Sequence, residues 1–378
     1  MSIPSKERKL NIIRIAPADF GRVVLALIFL AAIYYFVGHN PSGLSNGSTL
    51  LVVAAVIGGY MAMNIGANDV ANNVGPAVGS GALTLGAAIV IAAIFEAAGA
   101  LVAGGEVVST IKSGIIDPSL IASTDSFIAL MLAALLAGAV WLNIATALGA
   151  PVSTTHSIVG GVLGAGLAAG GMDVANWSRL AAIVSSWVIS PVLGGIIAAS
   201  FLYFIKRRIT YQPNMAEAAA RTVPLLVGLM IWAFSTYLIL KGIKNVWKID
   251  FITAAAAGLA IAIASYFALR PLIANKANRL QNSKSEVNTL FTVPLIFSAA
   301  LLSFAHGSND VANAIGPLAA IHQALEAGTV GGKAPIPLWI MLVGAIGISL
   351  GLAFFGPKLI RTVGSKITDL DRIRAFCV

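Results

Sequence analysis

The chain is poor in almost everything that marks a soluble enzyme. Only 10% of its 378 residues are charged, against the roughly one quarter usual in soluble domains. Cys377 is its one cysteine, so an intrachain disulfide is excluded. No Lys or Arg lies between Tyr60 and Lys112. An anion handled within that stretch would meet amides, hydroxyls and helix ends in place of fixed cations.

Apolar residues make up 58% of the sequence, with 38 glycines. A helix needs roughly 20 apolar residues to cross a bilayer. Such runs recur at Val23–Val37 (a short one), Thr49–Ile65, Thr84–Gly104, Phe127–Gly149, Leu180–Ile205, Val223–Leu240, Phe251–Leu269, Leu290–Ala305 and Leu338–Phe355. They predict an all-α polytopic membrane protein with nine or more crossings or half-crossings. The net charge of +9 does not imply nucleic acid, because the basic residues sit mainly between the apolar runs. Lys206–Arg207–Arg208 and Lys241, Lys244 and Lys248 are examples, and the positive-inside rule explains such placement. Lys6, Arg8 and Lys9 ahead of Val23 favour a cytoplasmic N-terminus. No small-x-small cleavage site follows the first run, so it is expected to stay as a membrane helix.

An internal repeat organises the chain. "GANDVANNVGP" (Gly66–Pro76) matches "GSNDVANAIGP" (Gly307–Pro317) at eight of eleven positions, 241 residues apart. Farther on, "GEVVSTIKSGIID" (Gly105–Asp117) aligns more weakly with "PKLIRTVGSKITD" (Pro357–Asp369), 252 residues apart, pairing Thr110 with Thr362. The expected units are an N-terminal segment with the first membrane helix at 1–48 and a first repeat at 49–205. Basic loops and membrane helices follow at 206–289, then a second repeat at 290–378. The first repeat also carries "APVSTTHSIVGG" (Ala150–Gly161), whose counterpart belongs near 402–408, about 24 residues past Val378. On this reading the second repeat is truncated at its C-terminus.

The bracketing glycines and prolines suggest that a membrane helix stops and restarts at each Asn-Asp motif. Irregular backbone survives at membrane depth only where it lines a cavity or is buried in protein. Gly149 is expected to end one helix and Pro151 to begin another. Ser153, Thr154 and Thr155 then fall in the first turn, where free N–H groups and hydroxyls make an anion site. Asn68 and Asn72, like Asn309 and Asn313, stand at i and i+4 and share a helix face. Asp69 and Asp310 would repel an anion, and two roles reconcile them. Each can bind a coupling cation such as Na⁺ or carry a proton. Alternatively, an ionised Asp accepts a hydrogen bond from the P–OH of phosphate, which sulfate lacks at neutral pH.

Other polar positions carry weaker signals. Asn residues also glue membrane helices together, but a duplicated Asn-Asp-x-x-Asn bounded by glycines is poorly explained that way. Glu96 is a lone acid in an apolar run and defaults to a functional reading, although the repeat sets no acid opposite it. His156 is either a proton group, a site residue or a hydrogen-bonded neighbour. His306 has Ile65 at its repeat position and is read as structural. Ser153–Thr155 beside His156 invites a nucleophile–base reading, but no distinct acid orients the pair and no enzyme is expected.

These motifs resemble the inorganic phosphate transporter (PiT) family. "GANDVANNVG" and "GSNDVANAIG" look like its duplicated signature. "FEAAGALVAGGEVVSTIKSGII" (Phe95–Ile116) and "PVSTTHSIVGGVLGAG" (Pro151–Gly166) look like its other landmarks. The resemblance implies two inverted repeats with broken or re-entrant helices and a site near the membrane midplane. It implies import of inorganic phosphate across the cell (inner or plasma) membrane by alternating access, with Na⁺ or H⁺ co-transported or as a neutral metal–phosphate complex, no cofactor, and a homodimer in the bilayer. The family's phosphate-binding roles carry onto Asn68, Asn72, Ser153, Thr154, Thr155, Asn309 and Asn313. The coupling cation or the phosphate proton falls to Asp69 and Asp310, with Glu96, Thr110, His156 and Thr362 as further candidates. The missing second P-V-S-T-T-H hairpin departs from the pattern and leads us to expect impaired transport by the 378-residue chain alone. A sulfate carrier, or a truncated membrane module that does not transport, are the alternative readings.

Overall fold

A computed structural model of the chain describes residues 17–39, 48–105, 114–242, 249–328, 330, 336–366 and 369–378. Nearly all of them are helical. The first half contributes α1 (Pro17–His39), α2 (Ser48–Gly79), α3 (Leu85–Ala103), α4 (Thr124–Leu148), α5 (Thr154–Gly170) and α6 (Trp177–Ile205). Two connecting helices follow, α7 (Met215–Gly242) and α8 (Phe251–Ala277). Then come the short α9 (Lys284–Asn288), the long α10 (Thr292–Ala327), α11 (Leu338–Phe355), α12 (Pro357–Lys366) and α13 (Arg372–Cys377). Nine helical stretches among the described residues are long and apolar enough to cross a bilayer.

Burial sorts these helices by role. α2 and α10 run through the middle, and the main core gathers Met61, Ile65, Val70, Val311, Ile315 and Ile348 around them. In contrast, α6 buries only Leu180 and Ile205 and turns the rest of its surface outward. An apolar exterior is what a lipid solvent allows, so such exposure carries no penalty in a membrane. A second, smaller cluster joins Ile205, Val223, Leu226, Phe291 and Ile373 where α6, α7, the turn ahead of α10 and α13 meet.

The expected breaks at the two Asn-Asp motifs are absent. α2 continues as one helix of 32 residues through Gly66, Gly75 and Pro76, and α10 as one of 36 residues through Gly307, Gly316 and Pro317. At a rise of 1.5 Å per residue these are about 48 and 54 Å long, well beyond a hydrocarbon core of about 30 Å. The glycines serve close approach between helices instead. A Cβ on Gly66 would lie 2.0 Å from the Ile348 carbonyl oxygen, and one on Gly351 would lie 1.9 Å from that of Met63. Likewise a Cβ on Gly307 would meet the Glu96 carbonyl at 2.1 Å, and one on Gly99 the Phe304 carbonyl at 2.0 Å. Small residues let membrane helices touch backbone to backbone. The two sets of contacts are repeat counterparts: α2 packs on α11 as α10 packs on α3, residue for residue.

The break that does occur lies between α4 and α5. Gly149, in the left-handed region at φ 75°, ends α4 as its C-cap. Ser153 caps the next helix, its hydroxyl accepting from the His156 N–H at 3.2 Å. Pro151 therefore stands in the link, two residues ahead of the cap, and Thr154 and Thr155 open α5.

Candidate functional site

The link from Gly149 to Ser153 has few backbone partners of its own, and Asn68 supplies them. The Asn68 amide donates to the Thr146 hydroxyl at 2.9 Å and to the Ala150 carbonyl at 3.2 Å. Its carbonyl oxygen accepts from the Val152 N–H at 3.0 Å. Buried polar groups need such partners at membrane depth. One fully buried side chain thus fixes where α5 begins.

That placement aims the N-terminus of α5 at the two Asn-Asp motifs. The Thr154 hydroxyl lies 2.8 Å from Oδ2 of Asp69 on α2 and 2.9 Å from Oδ2 of Asp310 on α10. Asn313 donates to the hydroxyls of Thr154 at 3.3 Å and Thr155 at 3.1 Å. A threonine hydroxyl has one proton to give. It satisfies one carboxylate and leaves the second to another donor, of which the His306 ring is one within reach.

His306 stands one turn before Asp310 and joins the same cluster. Its Nε2 is 3.2 Å from Asp310 Oδ2 and 3.5 Å from Asp69 Oδ2. The ligand atoms of Asp69, His306 and Asp310 all lie within 4.8 Å of one another, close enough to share one cation. On its other side, His306 Nδ1 faces Glu96 Oε2 at 3.1 Å, an ion-pair distance without hydrogen-bond alignment. Glu96 is fully buried and accepts from the Asn73 amide at 2.7 Å. Asn73, Glu96 and His306 therefore form a chain of side chains leading to the acid pair.

A cavity of about 360 Å³ opens at this cluster, lined by Asp69, Asn72, Pro151, Val152, Ser153, Thr154, His306 and Asp310. Its described lining contains no Lys or Arg. The fixed features offered to an anion are the Asn72 amide, the Ser153 and Thr154 hydroxyls, and the positive end of α5. Pro76 and Pro317 stand four residues after Asn72 and Asn313 and lack the N–H that a helix would set against their carbonyls.

The structure sorts the remaining candidates. Asn68 and Asn313 are buried supports whose amides are turned to the link and to the hydroxyls of α5. Asn309 is exposed and donates back to the Ala305 carbonyl of its own helix at 2.9 Å. His156 lies outside the acid cluster, its ring against Trp187 with centroids 3.8 Å apart. Thr362 donates to the Lys358 carbonyl within α12. Thr110 falls outside the described residues. His306, read from the sequence as structural, sits at the centre of the cluster. The repeat comparison passed over it because its counterpart is an isoleucine, although its i, i+4 relation to Asp310 places both on one helix face.

Comparison with known proteins bears on the family and the fold. Residues 65–378 match the model of the phosphate transporter family. A Helicobacter pylori protein provisionally named a phosphate permease is 55% identical over 367 residues, covering 95% of this chain and 68% of its own length. A Pyrococcus abyssi protein of the same provisional name is 37% identical over 332 residues, covering 87% of this chain and 80% of its own. A solved structure described as the sodium-dependent phosphate transporter superposes with a TM-score of 0.81 at 37% identity, covering 87% of this chain and 81% of that one.

Proposed function

Because the chain belongs to the phosphate transporter family and is a multi-pass membrane protein, not an enzyme, we propose that it imports inorganic phosphate with a coupling cation through the cavity at Thr154. One observation carries this reading: a single hydroxyl at a helix N-terminus stands within hydrogen-bond distance of carboxylates from both copies of the motif. Phosphate docks on the hydroxyls and free N–H groups that open α5 and on the Asn72 amide. Asp69 and Asp310 hold the cation, with the carbonyls of Asn72 and Asn313 as further oxygen donors. Hard cations such as sodium take oxygen ligands, and unwound or proline-freed carbonyls near the midplane commonly supply them in transporters. Sodium is favoured over the proton because the solved relative is named as sodium-dependent.

Movement follows from the reciprocal packing. The paired glycine contacts are what two repeats of inverted topology would give, with the first at 49–205 and the second at 290–378. Rocking one pair of helices against its counterpart then exposes the cavity alternately to each side. Binding without a lysine or arginine clamp keeps the site reversible, and the cation supplies the positive charge that an anion needs. The same reading places the protein in the inner or plasma membrane as a homodimer with a cytoplasmic N-terminus.

Uptake of radiolabelled phosphate into proteoliposomes tests it. An inward sodium gradient should drive accumulation that a potassium gradient does not, and excess sulfate should leave it unchanged. Uptake that follows a proton gradient alone would reassign the cation. Competition by sulfate would reassign the substrate.

A further inference from the structure

A second cavity, of about 440 Å³, lies on the far side of α2 between α1, α4 and the junction of α11 with α12. Its volume falls within the roughly 300–1,000 Å³ of ligand sites. Its walls are mostly apolar, and Arg22 of α1 and Lys358 of α12 both line it. Val23 and Leu27 border it and are 45% and 59% exposed, so the cavity opens toward the surface that faces lipid. Neither cation belongs to the phosphate cavity, whose described lining is without lysine or arginine.

We propose that this cavity holds an anionic phospholipid of the surrounding bilayer, its phosphodiester bound by Arg22 and Lys358 and an acyl chain laid against Val23, Leu27, Leu30 and Phe354. Basic pockets between membrane helices recognise anionic headgroups by this pairing of charge with apolar depth. A zwitterionic lipid would bring a cation of its own against the two basic residues. A soluble anion would leave the apolar walls uncovered. Snorkelling alone explains a lysine or arginine near a helix end, but it does not explain an apolar cavity built between two of them.

The position also ties the lipid to transport. Thr146 lines this cavity and accepts from Asn68, which pins the link to α5. Lys358 donates to the Ala147 carbonyl at 2.6 Å, two residues before the Gly149 cap. A headgroup on Lys358 therefore sits directly behind the backbone that positions Ser153 and Thr154.

Native mass spectrometry of the purified chain, exchanged into mixed phosphatidylglycerol and phosphatidylcholine, provides the test. Retained phosphatidylglycerol is expected in excess over phosphatidylcholine. Arg22→Gln and Lys358→Gln should each lower that preference about fivefold, and together about thirtyfold. Ala147→Trp, which fills the cavity from α4 while leaving both cations in place, should also release the lipid. Unchanged melting in phosphatidylcholine alone would show that these variants fold. Equal retention of the two lipids, full preference in the double variant, or complete displacement by inorganic phosphate would overturn the proposal.

Discussion

Asp69 and Asp310, 241 residues apart in sequence, share the hydroxyl of Thr154 at 2.8 and 2.9 Å. Two carboxylates are brought this close only where something positive or protic is meant to join them, since like charges at short range repel strongly in a low dielectric. The hydroxyl supplies one proton and the His306 ring, 3.2 Å from Asp310 and 3.5 Å from Asp69, offers another, so a coupling cation proposed for the pair would have to compete with the imidazole for these oxygens. Because the hydroxyl also stands at a helix N-terminus, the proposed cation and anion positions would be neighbours.

Thr154 should therefore tolerate serine and reject valine. Thr154→Val keeps the shape and removes a hydrogen bond to a charged group, which costs about 1.5–3 kcal/mol. Phosphate affinity, or sodium affinity measured at fixed phosphate, should fall about 10- to 150-fold, and Thr154→Ser should restore most of it. Thr362→Val, which loses only a bond within α12, should bind as the wild type does.

Asp69→Asn and Asp310→Asn separate the two roles of the acids. Loss of sodium stimulation with phosphate still preferred over sulfate would make them cation ligands. Loss of the preference would make them acceptors for the phosphate proton. Binding competition at several sodium concentrations distinguishes the outcomes, and a variant pair unchanged in both would refute both roles.

The reciprocal glycines give a matched pair of stability predictions. Gly66→Ala and Gly307→Ala each set a methyl about 2 Å from a carbonyl oxygen, so backbone must shift. Overpacking of this kind costs about 1–3 kcal/mol or more. Both should lower the melting temperature in detergent by similar amounts. Gly160→Ala meets no atom within 4 Å and should not.

A pH effect is expected at the exposed start of α8. Asp250 caps that helix, and the hydrogen bond from the Thr253 hydroxyl, aided by the Thr253 and Ile252 N–H groups, holds its carboxyl below the ordinary value. A lowered folded value means the cap stabilises the helix above the unfolded carboxylate pKa of about 3.9. That contribution is lost as pH falls through the lowered folded value. Amide exchange in the first turn of α8 should rise in acid for the wild type and stay flat for Asp250→Asn.

Much of the fold was legible because lipid demands long apolar helices and the repeat is strong. The break ahead of α5 was legible from Gly149, although the helix begins at Thr154 under a Ser153 cap and not at Pro151 as expected. The continuous course of α2 and α10 was not. A glycine that breaks a helix and one that admits a neighbouring backbone look alike, and Ile348, the partner of Gly66, lies 282 residues away. The repeat also hid its own exceptions. Glu96 and His306 face isoleucines, Ile348 and Ile65, at their counterpart positions, so each looked solitary. In the fold they face each other, a pairing that only tertiary structure creates.

Equilibrium binding of radiolabelled phosphate to the purified chain, with and without sodium, bears most directly on the cavity at Thr154. Sodium should tighten binding to the wild type, and Thr154→Val should weaken the binding and its sodium response together. Phosphate bound equally well by wild type and Thr154→Val, with the same response to sodium, would contradict the assignment of the site.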